Sequence, residues 1–251
     1  DIGIIHNYKF ENPDILGYDF PKVDAEKVSE KSEAFLKSDR DTYKYAKIGT
    51  TLFERAWSLR GFQNLFMDFL LEEKFVHEVL TKIVDHHIKI LSTALDFDFD
   101  GVYFGDDYGQ QSGMMMSPDV WRKFIKPQLK RMFDLAKSKG KTICLHSCGD
   151  IALVLPDLID IGLDVYQTVQ PEIYDLKNLK KEYGNDLAFY GGISTQRDLP
   201  FKKPSEIKKI IKSTMDILSE DGGYIAAPTH RVTGDTPLEN IVAMIEAFKE
   251  Q

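Results

Sequence analysis

This chain has few cysteines, no excess of positive charge and no long apolar run. Its 251 residues include two cysteines, Cys144 and Cys148, and in an extended segment their Cα atoms would lie about 13 Å apart, beyond disulfide reach. This predicts a reducing, cytoplasmic setting. No run of about 18 apolar residues occurs, and no basic stretch precedes an apolar one near the beginning, so we expect neither a membrane helix nor a secretory signal.

The charge balance argues against a nucleic-acid partner, because the formal net charge is −8 and nucleic-acid-binding surfaces are basic. With 43% hydrophobic and 29% charged residues, the chain is typical of a globular protein with a full core. We expect one domain over residues 1–251. In it, residues 1–41 form an irregular segment and a short helix from about Asp24.

Short apolar segments alternate with longer amphipathic ones, which is the pattern of a parallel α/β fold. Helix starts are also marked. Ser117-Pro118 places an N-cap hydroxyl before a proline, and Thr236-x-x-Glu239 predicts a capping box. The six strand candidates are Tyr45–Gly49, Gly101–Gly105, Lys141–His146, Asp164–Thr168, Leu187–Gly191 and Gly223–Ala227.

Polar or glycine-rich loops follow five successive strand candidates. In a barrel these loops would converge on one rim, where barrel enzymes carry their active sites, whereas in an open doubly wound sheet they would spread along an edge. Because five such loops suit a single active-site rim, we favour a (β/α)₈ TIM barrel. Six β/α units are two short of a closed barrel, so we expect that its first two strands are missing from this chain.

The third of these strands ends in the pentapeptide Cys144-Leu145-His146-Ser147-Cys148. Side chains alternate along a strand, so His146 and Cys148 point to the same side. An imidazole nitrogen and a thiolate are both zinc ligands, although a buried cysteine also packs as a small hydrophobic residue. The pair is a candidate metal site, and Cys144, deeper in the strand, is a candidate core residue.

Several motifs, in order along the chain, support a resemblance to a known family. They are Gly-Asp-Asp-Tyr-Gly-Gln-Gln at 105–111, Ser117-Pro118 with Phe124-Ile125-Lys126-Pro127, Leu145-His146-Ser147-Cys148-Gly149, Tyr190-Gly191-Gly192-Ile193, and Gly222-Gly223-Tyr224-Ile225 through Pro228-x-His230 to Thr236-Pro237-x-Glu239-Asn240. From about Thr42 onward the chain resembles the uroporphyrinogen decarboxylase superfamily, and more narrowly its methyltransferase-like branch. The family fold is a (β/α)₈ barrel, and whole members begin with a further stretch that carries the first two strands.

The resemblance implies a metal and a methyl donor. Corrinoid-linked methyltransferases of this family hold zinc with a His-x-Cys pair and a later cysteine, and the zinc activates a thiol. His146 and Cys148 match the pair, which implies a zinc-dependent methyltransferase that works with a corrinoid or a corrinoid protein. At the later position this chain has His230, which is either a third zinc ligand or, as in the decarboxylases, a residue facing the substrate.

Other functions remain open at this stage. A metal-free decarboxylase would act on a porphyrinogen or another polycarboxylate, and a non-catalytic member would bind a corrinoid or porphyrin without turnover. The decarboxylases lack the His-x-Cys pair, which argues mildly against the first alternative. The family resemblance also suggests a homodimer.

The remaining candidate residues lie near predicted strand ends. Asp106 and Asp107 are adjacent and point to opposite sides, so one is expected to cap a helix or loop. The other is a candidate general base, substrate acceptor or partner that orients His146. Gln167 and Gln170 could present their amides to a substrate, with solvation in a loop as the alternative role. For the arginines among the candidates, the alternative role is an ion pair with Glu54 or Asp68. The substrate-binding candidates are Arg55, Trp57, Arg60, Tyr108, Gln110, Gln170, Gly191 and Gly192.

Overall fold

A computed structural model of the chain describes residues 5–37 and 41–250. These residues divide into two units. The first unit holds the described residues up to 107 together with 116–145 and 152–163, and the second unit holds 108–115, 146–151 and those from 164 onward. The expectation of a single domain stays a prediction. In the part of the chain that is described, no helix has the length and apolar character needed to cross a membrane.

The long strands lie where the sequence predicts them. β1 pairs with β2 in the first unit, and in the second unit β6 pairs with β7 and β7 with β8, all in parallel. Parallel strands that alternate with helices confirm the predicted α/β class. The strands are β1 Tyr45–Gly49, β2 Gly101–Gly105, β3 Gly109–Gln110, β4 Gly113–Met114, β5 Thr142–His146, β6 Val165–Thr168, β7 Ala188–Ile193 and β8 Tyr224–Pro228.

The two longest helices of the first unit, α4 and α6, each bury one apolar face. In α4, buried residues recur at helical spacing from Phe75 to Ala94, as expected for a helix packed on a core. His87 is buried in this row, and burial lowers its pKa to about 4. The helices are α1 Ala25–Leu36, α2 Phe53–Arg60, α3 Phe62–Leu71, α4 Glu73–Ala94, α5 Pro118–Val120, α6 Lys126–Ser138 and α7 Leu155–Asp160.

Two helix starts of the first unit follow the sequence signals. Asp24 accepts a hydrogen bond from the N–H of Lys27 and caps α1, and Ser117 accepts one from Val120 and caps α5. Between α5 and α6 the chain passes through one π-helical turn, Trp121–Ile125. Pro127 lacks the N–H that a regular α-helix would use there, so the wider turn keeps α5 and α6 continuous.

The second unit contains the short antiparallel pair of β3 and β4 and three helices. These helices are α8 Leu176–Tyr183, α9 Pro204–Leu218 and α10 Leu238–Lys249. The core between β7, α9 and α10 consists of aliphatic and methionine side chains, among them Ile193, Ile207, Ile211 and Met244. The predicted capping box at Thr236 is wrong, because Pro237 has an extended conformation (ψ 140°) and α10 begins at Leu238.

Candidate metal centre

β5 ends at His146, and Cys148 follows two residues later. Both side chains are half-buried, and Cys148 Sγ lies 3.5 Å from His146 Nε2. The alternation of side chains along an extended segment therefore brings the two groups to one side, as the sequence predicts.

His230 lies in the loop after β8 and is exposed. One ligand atom from each of His146, Cys148 and His230 lies within 4.8 Å of the other two. Ligands on a tetrahedral zinc ion are about 3.3–3.8 Å apart, given Zn–N and Zn–S bonds of about 2.0 and 2.3 Å. The donor set and its spacing therefore fit zinc after a small adjustment. All three residues belong to the second unit.

The segment that carries Cys148 is fixed by its own backbone and by neighbouring side chains. The N–H of Ser147 donates to the carbonyl of Gln167 over 2.8 Å, and Ser147 Oγ accepts from the N–H of Tyr108. Gly149 has φ +80° and lies so close to the backbone of Gly109 that a Cβ atom would clash. Only glycine fits this turn without strain.

Gln167 contacts the first metal-ligand candidate directly. Its side chain on β6 is 5% exposed, and its Oε1 lies at hydrogen-bond distance from His146 Nδ1. On the other side, Gln167 Nε2 donates to the carbonyl of Thr229 over 3.0 Å. The sequence indicated this glutamine only as an amide that could face a substrate, and not as a partner of His146. The available signal was a polar residue inside the apolar run of β6.

Asp106 caps a helix, which is one of the two roles expected for the aspartate pair. Its two carboxylate oxygens accept from the N–H groups of Phe53 and Glu54, each over 2.8 Å, at the start of α2. Burial, together with Asp106 and Asp107, raises the pKa of Glu54 to about 8. The sequence did not mark Glu54 as unusual, because its burial and its closeness to Asp106 and Asp107 arise only in the fold. Catalytic roles for Asp106 and Asp107 stay predictions.

The arginine and tryptophan candidates of α2 also belong to the first unit. Arg60 is buried and pairs with Asp68, with 2.6 Å between Nε and Oδ2, which is the ion pair considered as the alternative role. Its guanidinium also donates to the carbonyls of Phe10 and Glu11, so this side chain is engaged within the unit. Arg55 is exposed and Trp57 half-buried, and substrate roles for all three stay predictions.

The candidates of the second unit support its backbone. Gln170 Oε1 accepts from the N–H of Gly149 over 2.7 Å, so this amide holds the turn after Cys148. Tyr108 is fully buried, and Gln110 is exposed on β3. Gly191 and Gly192 have positive φ, and a Cβ at Gly191 would clash with the carbonyl oxygen of Thr168. Substrate binding by these residues stays a prediction.

Comparison with known proteins identifies the family. The family model described as Uroporphyrinogen decarboxylase (URO-D) matches residues 50–251. The chain belongs to the uroporphyrinogen decarboxylase family. The matched region includes the three metal-ligand candidates, and it confirms the resemblance predicted from the motifs.

Curated relatives of this family member include methyltransferases of two Methanosarcina species. The methylcobamide:CoM methyltransferase MtaA of Methanosarcina barkeri is 33% identical over 137 residues, covering 54% of this chain and 38% of that protein. The methylated-thiol–coenzyme M methyltransferase of Methanosarcina mazei is 27% identical over 139 residues, covering 55% and 35%. The aligned part thus spans little more than a third of each relative's length.

Solved structures support the fold. A methyltransferase from Methanosarcina mazei superposes with a TM-score of 0.71 at 22% identity, over 89% of this chain and 63% of that one. The 3-keto-D-glucoside 4-epimerase YcjR from E. coli has a TM-score of 0.50 at 13% identity, over 93% and 89%. These similarities show a shared fold alone. The first, with the family membership, confirms the barrel-type α/β fold predicted for this chain.

Proposed function

We propose that this member of the uroporphyrinogen decarboxylase family is a zinc-dependent methyltransferase that moves a methyl group between a corrinoid and a thiol. The observation that carries the proposal is the grouping of His146, Cys148 and His230 within 4.8 Å. The names of the two Methanosarcina relatives, which act on methylcobamide, methylated thiols or coenzyme M, support the choice of substrates. A corrinoid protein is the proposed partner.

The proposed zinc ligands are His146 Nε2, Cys148 Sγ and His230, which leave a position for substrate. When bound, the ion would act as a Lewis acid that lowers the pKa of a coordinated thiol. Two neutral imidazoles and one thiolate cancel one of the two positive charges of zinc. The centre would therefore attract an anionic thiolate, while the imidazole of His230 donates less charge than a second cysteine would.

Zinc content tests the metal centre first. Chelator-washed protein, reconstituted with zinc and passed through a desalting column, should retain about one zinc ion per chain by inductively coupled plasma mass spectrometry. His146→Ala and Cys148→Ala should lose it, because two donors hold zinc much more weakly than three.

Cys144→Ala and His77→Ala are the matched controls, since Cys144 is buried in β5 and His77 lies on the surface of α4 in the first unit. Both should keep full zinc content. Unchanged zinc in His146→Ala and Cys148→Ala would refute the metal centre.

Methyl transfer tests the reaction. Zinc-loaded protein is mixed with methylcobalamin and a series of small thiols, and demethylation of the corrinoid is followed by its visible spectrum while the thioether is identified by mass spectrometry. We expect turnover in the wild type and none in Cys148→Ala. A zinc-free protein that releases carbon dioxide from a porphyrinogen or another polycarboxylate would instead support the decarboxylase alternative, to which the family description also points.

A further inference from the structure

The contact with Thr229 fixes the orientation of the side-chain amide of Gln167. The carbonyl oxygen of Thr229 lies 3.0 Å from one end of the amide, and a carbonyl can only accept a hydrogen bond. The end that faces Thr229 must therefore be the NH₂ group. A backbone atom thus settles an assignment that is otherwise ambiguous for glutamine side chains.

This orientation decides which nitrogen of His146 carries the proton. With its NH₂ group towards Thr229, Gln167 presents its carbonyl oxygen to His146 Nδ1. An unprotonated Nδ1 and a carbonyl oxygen are both acceptors and would repel each other at hydrogen-bond distance. Nδ1 must therefore carry the proton and donate it to Gln167. In the neutral imidazole Nε2 is then unprotonated, and this is the atom that lies 3.5 Å from Cys148 Sγ. His146 therefore presents a lone pair, rather than an N–H, to the candidate centre.

The same amide also connects two segments that carry metal-ligand candidates. Thr229 immediately precedes His230, and its N–H donates to the carbonyl of Ile193 at the end of β7 over 2.8 Å. Gln167 is 5% exposed, and leaving either end of a buried amide unsatisfied costs about 1–3 kcal/mol. A displacement of the His230 loop or a rotation of the His146 ring would each break one of these bonds.

We propose that Gln167 is a positioning residue of the metal centre, which holds His146 in its Nδ1–H tautomer and fixes the loop of His230 relative to it. This inference rests on the proposed metal centre for its purpose. Its first consequence, the tautomer, exists in the metal-free protein and can be measured there. If Gln167 only filled a buried polar position, His146 would need no particular tautomer. Substitution of Gln167 would then leave the metal affinity unchanged.

The tautomer is measured by two-dimensional ¹H–¹⁵N NMR of metal-free protein labelled at histidine nitrogens, at a pH where the imidazole is neutral. His146→Gln identifies the signal. In the wild type, Nδ1 should have the shift of a protonated nitrogen and Nε2 that of an unprotonated one. In Gln167→Met, which has nearly the same volume and no carbonyl oxygen, this preference should be lost. A wild-type His146 protonated at Nε2 would overturn the proposal.

Metal affinity is the second readout, obtained by competition with a chromophoric chelator. Gln167→Met should weaken zinc binding by about 10- to 100-fold, the range observed when a hydrogen-bond partner of a metal-bound histidine is removed. Gln167→Glu keeps an oxygen for Nδ1–H and should keep the tautomer. Its second oxygen cannot donate to the carbonyl of Thr229, so the zinc affinity should recover only in part. Gln128→Met is the matched control, because this glutamine bonds to Thr81 in the first unit, and it should bind zinc as the wild type does.

The outcomes separate the two proposals. If the wild type binds no zinc but His146 has the Nδ1–H tautomer, the metal centre fails while the local geometry stands. If the wild type binds zinc, and Gln167→Met matches it in both affinity and tautomer, the positioning role fails while the proposed function stands. If Gln167→Met does not fold, as judged by circular dichroism, the tautomers of the wild type and of Gln167→Glu still decide.

Discussion

Glu54 resists ionisation in this fold, and its effect on stability should depend strongly on pH. Burial, Asp106 and Asp107 raise the pKa of its carboxyl group from 4.5 to about 8. Because the folded state holds this proton more tightly than the unfolded chain, the contribution of Glu54 to the free energy of unfolding is most favourable below pH 4.5. It falls as the pH rises from about 4.5 to 8 and is constant above that.

The size of the effect follows from the shift. Each tenfold change in proton affinity corresponds to about 1.4 kcal/mol. The pKa shift of Glu54 can therefore change the free energy of unfolding by at most about 5 kcal/mol. Glu54 is only half-buried, and solvent screening reduces this to about 2 kcal/mol. Glu54→Gln removes the ionisation at nearly constant volume. The variant should therefore be more stable than the wild type by about 2 kcal/mol at pH 9, and nearly equal to it at pH 4.5.

Urea unfolding with chelator present, followed by tryptophan fluorescence at several pH values from 4.5 to 9, measures this difference. Trp57 and Trp121 both belong to the first unit, which contains Glu54. His87 and other groups titrate in both proteins and cancel in the comparison. Glu78→Gln, at an exposed position of α4, is the matched control and should give a constant difference from the wild type. A constant difference for Glu54→Gln as well would refute the reasoning.

Three further substitutions test contacts of the fold by urea unfolding at neutral pH. Asp106→Ala should lower the free energy of unfolding by about 2–3 kcal/mol, since two backbone N–H groups of α2 lose their acceptor; no loss would contradict the capping role. Asp68→Ala should lower the free energy of unfolding by about 3–5 kcal/mol, because the buried guanidinium of Arg60 then lacks its carboxylate partner. The double variant with Arg60→Met and Asp68→Ala should recover part of this loss; no recovery would contradict the role of the ion pair. Gly191→Ala should cost about 3 kcal/mol or more, from its φ of +123° and the clash with Thr168, and wild-type stability would show that β7 differs from this description.

The sequence predicted the α/β class because each long strand is a short apolar run bounded by glycine or a polar loop. Such a run is a local signal that can be recognised without knowledge of the fold. His146 and Cys148 were predictable for the same reason, since strand alternation fixes their relative direction over three residues. His230 was reached through the family resemblance, because no local pattern links a loop after β8 to the end of β5.

Other features could not be predicted from local patterns. The contact of Gln167 with both His146 and Thr229 depends on the register between neighbouring parallel strands, which alternation within one strand does not determine. The start of α10 was misplaced because Thr-Pro-x-Glu satisfies the capping-box pattern while Pro237 itself takes the extended conformation. The hydroxyl of Thr236 does not cap α10, and it is buried without a hydrogen-bond partner among the described residues.

The proposed metal ligands come from the two ends of one stretch of chain. Cys148 precedes β6, and His230 follows β8. An ion held by both would close the intervening chain into a ring that contains α7, β6, α8, β7, α9 and β8. By the loop-entropy relation for a disulfide, a ring of this length would add about 4.5 kcal/mol to the free energy of unfolding. A chelator would then act on this part of the protein as a reducing agent acts on a disulfide, opening the ring and exposing its loops to proteases.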